Sequence, residues 1–232
     1  IPAEAHIALA RIAREQHSTM FMAMHAVWAM LMARLSGTED ITVGTPIAGR
    51  GEAGLDNLVG MFVGTLVLRT EASPHESFTD LLARTRATDL AAFDNTDIPF
   101  ERLVDAFAPT RSTDHSPLFQ VLLEFQNNTT AHLELPGLDV RGLEFDAGIA
   151  KFDLQLTVAE NQADNGTPAG MSVAITYATD LFEESTVRET TSAGRISSSR
   201  SRGSSFAPRG SGARRRGRLW CWRPRAGSRS RD

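Results

Sequence analysis

Cysteine is almost missing from this sequence: the 232 residues hold one, Cys221. A single thiol closes no internal disulfide, so nothing points to an oxidising compartment. Long apolar runs are missing too. The longest, "MFMAMHAVWAMLMA", is interrupted by His25 and falls short of the roughly 20 residues that cross a bilayer. No signal-peptide pattern opens the chain. It starts at Ile1 rather than methionine and is expected to be a piece of something longer. These absences predict a soluble, cytoplasmic protein with no membrane partner.

Self-contained catalytic motifs are also absent. The six histidines are His6, His17, His25, His75, His115 and His132, and none forms H-E-x-x-H, an H-x-H pair or a cluster with cysteine. No bound metal is therefore expected. No G-x-S-x-G elbow occurs. His25 sits on the apolar face of a helical pattern and reads as a core histidine. His115, beside Ser116, reads as turn chemistry before Pro117. Asp94 and Asp97 adjoin a helix start, where acidic residues are favoured by the helix dipole.

The stretch "TVGTPIAGRG" comes closest to a cofactor motif, with Gly44 and Gly49 spaced as in a phosphate-binding loop. That loop reads G-x-x-x-x-G-K-[ST], but here Arg50 and Gly51 occupy the lysine and hydroxyl positions. Pro46 removes one of the backbone N–H groups such a loop would present. It is not a nucleotide site.

Charge divides the chain. Residues 1–188 carry 12 basic and 26 acidic side chains, and residues 189–232 carry 12 and 2. The second stretch, "SAGRISSSRSRGSSFAPRGSGARRRGRLWCWRPRAGSRSRD" with the residues just before it, has neither an apolar stripe nor alternation. It is expected to be disordered, because it offers too little apolar surface to offset about 1–2 kcal/mol of ordering entropy per residue. Its Arg runs have a nucleic-acid reading. The favoured reading is different: Arg, Gly, Ala, Pro, Ser, Trp and Cys are what a GC-rich coding strand yields out of frame, so a frameshift near residue 188 is expected and nucleic acid is not an expected partner.

What is present upstream is strongly patterned. From Thr19 to Leu35 apolar residues recur at spacings of three and four, predicting a helix that Gly37 ends. "DITVGTPI" and "MFVGTLVLR" read as strands. Ser73, Pro74, His75 and Glu76 have the form of a capping box, opening a helix whose inner face is Phe78, Leu81, Leu82, Thr85, Ala92 and Phe93. A further helix follows "DIPFE", with Phe100, Leu103, Val104 and Phe107 on one side. The period then changes to two: "PLFQVLLEFQN", "KFDLQLTVAE" and "GMSVAITYATDLF" read as strands, the last with Met171, Val173, Ile175 and Tyr177 inward. Helices first and strands afterwards predict a layered α/β or α+β domain.

The order of these stretches resembles the C-terminal half of a condensation domain of nonribosomal peptide synthetases, within the chloramphenicol-acetyltransferase-like superfamily. The stretches that carry the likeness are "TEDITVGTPIAGR", "LVGMFVGTLVLRT", "FDNTDIPFERLVDAF", "STDHSPLFQVLLEFQN", "LELPGLDVRGLEFDAGIAKFDLQLTVAE" and "ITYATDLFEEST". The resemblance implies one lobe, residues 1–188, with a mixed sheet and helices packed on it, followed by the tail. It implies amide-bond formation between aminoacyl or peptidyl thioesters. These arrive on phosphopantetheine arms presented by peptidyl carrier proteins, with an adenylation domain adjoining. The family's His-His-x-x-x-Asp-Gly motif belongs to the other, N-terminal lobe, and no His-His pair occurs here. No catalytic residue is thus inherited, and no cofactor is expected to bind directly. An epimerising or ester-forming member of the superfamily would share these features.

Motif residues carried over as structural or tunnel-lining are Gly44, Pro46, Gly49, Arg50, Gly60, Phe62, Thr65, Arg69, Asp97, Pro99, Phe100, Glu101, Pro117 and Gln120. Gly44 and Gly49 are expected to serve close backbone approach and positive φ. Gly64 stands where the family usually has asparagine, and Thr96 where it has glutamine. A lone lobe is expected to expose an apolar patch.

Overall fold

The computed structural model describes residues 1–48, 54, 57–73, 75–107, 115–126, 149–163, 165–191 and 196–201. They fall into two compact units, one built from residues 1–21 and 121–201, the other from residues 22–120. In each, helices accompany strands, which gives the α/β class expected from the order of elements.

The second unit holds all but the first two residues of helix α2 (Met20–Ser36). Its small residues Ala23, Ala26, Ala29 and Ala33 are buried along with Met22, Met24, Trp28 and Met32, so it is apolar nearly all round, as an interior helix must be. Gly37 ends it with φ 69°, its N–H donating to the Ala33 carbonyl at 2.9 Å, the helix-stop geometry that favours glycine. Strands β1 (Asp40–Ala48) and β2 (Val63–Glu71) then pair antiparallel, with Val43 opposite Leu68 and Pro46 opposite Thr65. Ile41, Val43 and Thr45 are buried with Leu66, Leu68 and Thr70. Alternation places these on one face of the hairpin.

Helix α3 (Phe78–Phe93) packs against β2. Its cap differs from the expected one. The Ser73 N–H does donate to Glu76 Oε1 at 2.7 Å, but the helix starts later, and Ser77 Oγ accepts from the Asp80 N–H. The reason is local: Ser77-x-x-Asp80 offers a second cap with an acidic residue in the first turn. Pro74 lies outside the described residues. Leu81, Leu82 and Thr85 are buried as expected, whereas Phe93 is 37% exposed and Asp89 is fully buried. Asp89 takes the inward position because its Oδ1 lies 2.8 Å from His25 Nδ1, also fully buried, so a polar pair ties α3 to α2. Burial raises the Asp89 pKa, an effect that the hydrogen bond and charge of His25 oppose. The short helix α4 (Phe100–Phe107) buries no residue completely, and Phe107 is 62% exposed.

The first unit carries helix α1 (Ala3–Glu15), which the apolar pattern did not lead one to expect. Strands β3 (Val121–Gln126), β4 (Leu154–Gln162), β5 (Pro168–Ala178) and β6 (Ile196–Ser201) follow in that spatial order. The β3–β4 and β5–β6 pairs are parallel and β4–β5 is antiparallel, so the sheet is mixed. Strand β3 is shorter than expected. Pro117 to Gln120 form a tight turn instead, with Leu118 at φ 67° and the Phe119 N–H donating to the Pro117 carbonyl at 2.8 Å. Val121, Leu123, Leu154, Leu156, Val158, Val173, Ile175 and Tyr177 form the buried face. Burial of each such side chain stabilises by about 1.5–3 kcal/mol.

Helix α1 packs on β5 and is fastened by polar contacts. The Gly170 N–H donates to His6 Nδ1 at 3.2 Å, and His6 Nε2 lies 2.8 Å from Glu160 Oε1. An N–H donor on Nδ1 requires that nitrogen to be unprotonated, so Nε2 carries the hydrogen and donates to Glu160. Gly170 has φ +105°, and a Cβ there would stand 2.8 Å from the Ile1 carbonyl oxygen. Ile1 and Met171 exchange two backbone hydrogen bonds, at 2.7 and 2.9 Å. Helix α5 (Glu184–Thr191) buries Val187. Strand β6 lies in the stretch expected to lack regular structure. Parallel pairing uses only backbone groups, which a Ser/Arg sequence supplies as well as any other. Residues 202–232 lie outside the described residues.

Candidate functional site

The motif residues are held by one aromatic ring. Tight-turn geometry at Leu118 brings Phe119, 1% exposed, against the backbone of β1. A Cβ on Gly44 would lie 2.2, 2.3 and 2.6 Å from three carbons of the Phe119 ring. Close approach is therefore what requires glycine at position 44. The positive φ also expected there is not found, since Gly44 lies in a regular antiparallel ladder opposite Val67. The Phe100 ring meets Phe119 edge-on, with centroids 5.7 Å apart and planes at 61°. Such pairs add about 0.5–1.5 kcal/mol beyond burial. Three separate sequence stretches, around Gly44, Phe100 and Phe119, thus converge on one contact. Gln120 Nε2 donates to the Ser116 carbonyl at 2.9 Å and closes the turn around Pro117.

The other motif residues are dispersed. Asp97, Pro99 and Glu101 lie exposed at the start of α4, where the Pro99 carbonyl accepts from the Arg102 N–H at 3.0 Å. Pro46 and Thr65 face each other across β1 and β2. Arg69 donates through Nε and Nη2 to both carboxylate oxygens of Asp40, at 2.8 and 2.9 Å, on the surface. That hydrogen bonding to Asp40 raises the guanidinium pKa further. Gly60 lies against Phe62, whose ring would stand 3.1 Å from a Cβ at that position. Gly64 faces Ile47, and a Cβ there would sit 3.3 Å from its Cγ1. Gly49 and Arg50 lie outside the described residues, as does His132.

Between Asn57 and β2 the surface is apolar: Leu58, Val59, Met61 and Val63 are 50%, 103%, 93% and 66% exposed. Exposed apolar side chains in succession are uncommon on a self-contained protein and mark a surface made to be covered. Among the described residues no group of three or more His, Cys, Asp or Glu could hold a metal ion. No helix among them is long and apolar enough to cross a membrane. The two buried histidines are both committed to carboxylates, His6 to Glu160 and His25 to Asp89. They read as tethers between elements. Among the described residues two surfaces stand out: this apolar strip, and a polar sheet face on β3 and β4 that sequence reasoning did not single out.

Comparison with known proteins accounts for this combination. The condensation domain family matches residues 1–194. An isonitrile lipopeptide synthase of Mycobacterium tuberculosis is 45% identical over 182 residues, which are 78% of this chain and 7% of that protein. A dimodular nonribosomal peptide synthase of Bacillus subtilis is 45% identical over 188 residues, 81% of this chain and 8% of that protein. The chain thus spans less than a tenth of the length of these relatives. Among solved structures, the X-domain in complex with OxyB from teicoplanin biosynthesis superposes with a TM-score of 0.72 at 26% identity, covering 83% of this chain and 42% of that one. A four-domain nonribosomal peptide synthetase bound to AMP and glycine shares the fold, with a TM-score of 0.71 at 20% identity over 82% of this chain and 15% of that one. An exposed apolar strip and the lack of an acid–base cluster among the described residues suit a partial domain, and the chain belongs to the condensation domain family of nonribosomal peptide synthetases.

Proposed function

We propose that this chain is one lobe of an amide-forming acyltransferase and is inactive without the lobe that carries His-His-x-x-x-Asp-Gly. In the complete enzyme, two carrier proteins present aminoacyl or peptidyl thioesters on phosphopantetheine arms, and the acceptor amine attacks the donor thioester. The arm arrives as part of the substrate, so this chain needs only surfaces that guide it. The strip Leu58, Val59, Met61 and Val63 suits that task or the contact with the other lobe. The observation that carries the reading is the convergence of Gly44, Phe100 and Phe119 from three family motifs in a sequence with no adjacent histidines. Residues 189–232 are proposed to add nothing to catalysis, being an out-of-frame tail.

The test is complementation. The chain is mixed with the separately produced N-terminal half of the Bacillus subtilis relative's condensation domain and with two aminoacyl-loaded carrier proteins, and dipeptidyl thioester is followed by mass spectrometry. Amide is expected with both halves and not with either alone. Amide from this chain alone, or none from any complemented pair, would overturn the proposal. Inversion of the donor without amide, or ester from a hydroxyl acceptor only, would replace it with the epimerising or ester-forming reading.

A further inference from the structure

Strands β3, β4 and β5 have two unlike faces. One is the apolar layer already described, with Glu160 committed to His6 at its margin. The other carries Glu124 and Gln126 from β3 and Gln155 and Thr157 from β4, and register puts Glu124 directly opposite Thr157. Gln155 Nε2 donates to Glu124 Oε2 at 3.0 Å, and Thr157 Oγ1 donates to the same oxygen at 3.2 Å. Gln155 Nε2 also reaches Thr157 Oγ1 at 3.3 Å, closing a small ring of hydrogen bonds. Among the described residues, oxygen Oε1 receives only a long contact of 3.4 Å from Gln126 Nε2.

Two features of this arrangement call for a ligand. No Lys, Arg or His occurs anywhere in the sequences of β3, β4 and β5, and among the described residues no cation is paired with Glu124. Among the described residues its donors are all neutral, and they orient the carboxylate without neutralising it. The group is also half-buried, and a carboxylate withdrawn from water gains more from a counter-charge than a free surface one does. With respect to the described residues, Oε2 accepts twice and Oε1 retains acceptor capacity. A charge-assisted N⁺–H···O⁻ bond at Oε1 is the contact that would complete the site.

We infer that Glu124 recognises a primary ammonium group, and that this group is the amine end of the acceptor substrate; the second half of the statement rests on the amide-forming reading. Glu124 is a positioning residue. Its carboxylate holds the amine on the polar wall, Gln155 and Thr157 fix the carboxylate, and no proton transfer is required of it.

The experiment uses the full chain and two small probes, glycinamide and N-acetylglycinamide, which differ in the ammonium charge. The side-chain amide signals of Gln155 and Gln126 are followed by NMR during titration. Glycinamide is expected to give saturable shifts, with N-acetylglycinamide at least ten-fold weaker. Glu124→Gln, which keeps the size and an acceptor oxygen, is expected to lower glycinamide affinity at least ten-fold. Glu15→Gln, which changes an exposed carboxylate elsewhere on this acidic chain, is expected to leave it within two-fold. Equal response to both probes, or equal affinity in Glu124→Gln, would overturn the inference. If Glu124→Gln loses the cooperative thermal transition, the comparison of the two probes on the unmodified chain decides. The complementation assay separates the two proposals. Ammonium binding without amide formation keeps the site and removes its assignment to an acceptor; amide formation with no dependence on Glu124 keeps the enzyme and removes the site.

Discussion

Gly44→Ala is the substitution that most directly probes how the motif residues are held. The added Cβ would stand 2.2 Å from the nearest carbon of Phe119, against about 3.4 Å or more for ordinary contact between packed carbons. The ring must therefore retreat by about 1 Å. It has little room, since Phe119 is 1% exposed and its outer edge meets Phe100. Overpacking of this kind costs about 1–3 kcal/mol, and the rigidity of a strand backbone on one side argues for the upper half of that range. For a domain of this size about 2–3 kcal/mol lowers Tm by roughly 5–10 °C. The assay is urea denaturation of four proteins followed by far-UV circular dichroism: the unmodified chain, Gly44→Ala, Phe119→Leu and the double variant. Phe119→Leu removes the atoms that clash, so the double variant is expected to lose at least about 1 kcal/mol less than the sum of the two singles, a coupling of the size seen between touching residues. Strict additivity, or a Gly44→Ala variant as stable as the parent, would show that the ring does not press on β1, and the convergence of the three stretches would lose its basis.

Two further outcomes follow from other contacts. Because burial raises the Asp89 pKa in the folded chain, the folded state holds this proton more tightly than the unfolded one. The carboxyl's contribution is therefore fully present below its unfolded pKa of about 3.9 and is lost as pH rises through the folded value. Relative to Asp89→Asn, the unmodified chain should lose stability over the window that opens at the unfolded pKa of about 3.9 and runs upward through the raised folded value. Urea midpoints of the pair that differ by a constant across this window would contradict it. Gly170→Ala forces a side chain onto φ +105° and toward the Ile1 carbonyl, a strain of about 1–3 kcal/mol. It should also remove the hydrogen-exchange protection of the Met171 N–H, which donates to that carbonyl. Unchanged protection would mean the N-terminal contact contributes nothing.

Periodicity made most elements of the fold legible, and it failed where the inward position was not apolar. Helix α1 is the clearest case. Its fully buried residues are His6 and Ala13, while Ile7 is 51% exposed, so a search for an apolar stripe finds the wrong face. The same holds in α3, where Asp89 rather than Phe93 faces inward because His25 waits for it across the interior. A sequence shows that His25 lies on a buried face; it does not show which of 26 acidic residues in the first 188 will meet it. At Gly44 the expected close approach is found and the expected positive φ is not. A glycine in a strand can serve a positive φ or a close neighbour, and only the position of Phe119 decides between them.

Glu124 and Glu160 show why the second polar wall stayed hidden. Both are glutamates in strands, each next to apolar residues, and nothing in composition separates them. In β3 the residues Val121, Leu122 and Leu123 are all buried, so alternation does not reveal which side of that strand is polar. The assignment comes from register: Leu123 opposite Leu156 and Glu124 opposite Thr157. A shift of one residue would put Glu124 among Leu156, Ile175 and Val158, on the side where Glu160 meets His6. Register thus leaves Glu160 a tether for α1 and Glu124 oriented, among the described residues, by neutral donors with an acceptor oxygen in reserve. If the first is replaced by alanine, stability should fall with loss of the His6 contact; if the second is replaced by glutamine, stability should hold and ammonium binding should go. The reverse pattern would place the functional carboxylate on the other face of the sheet.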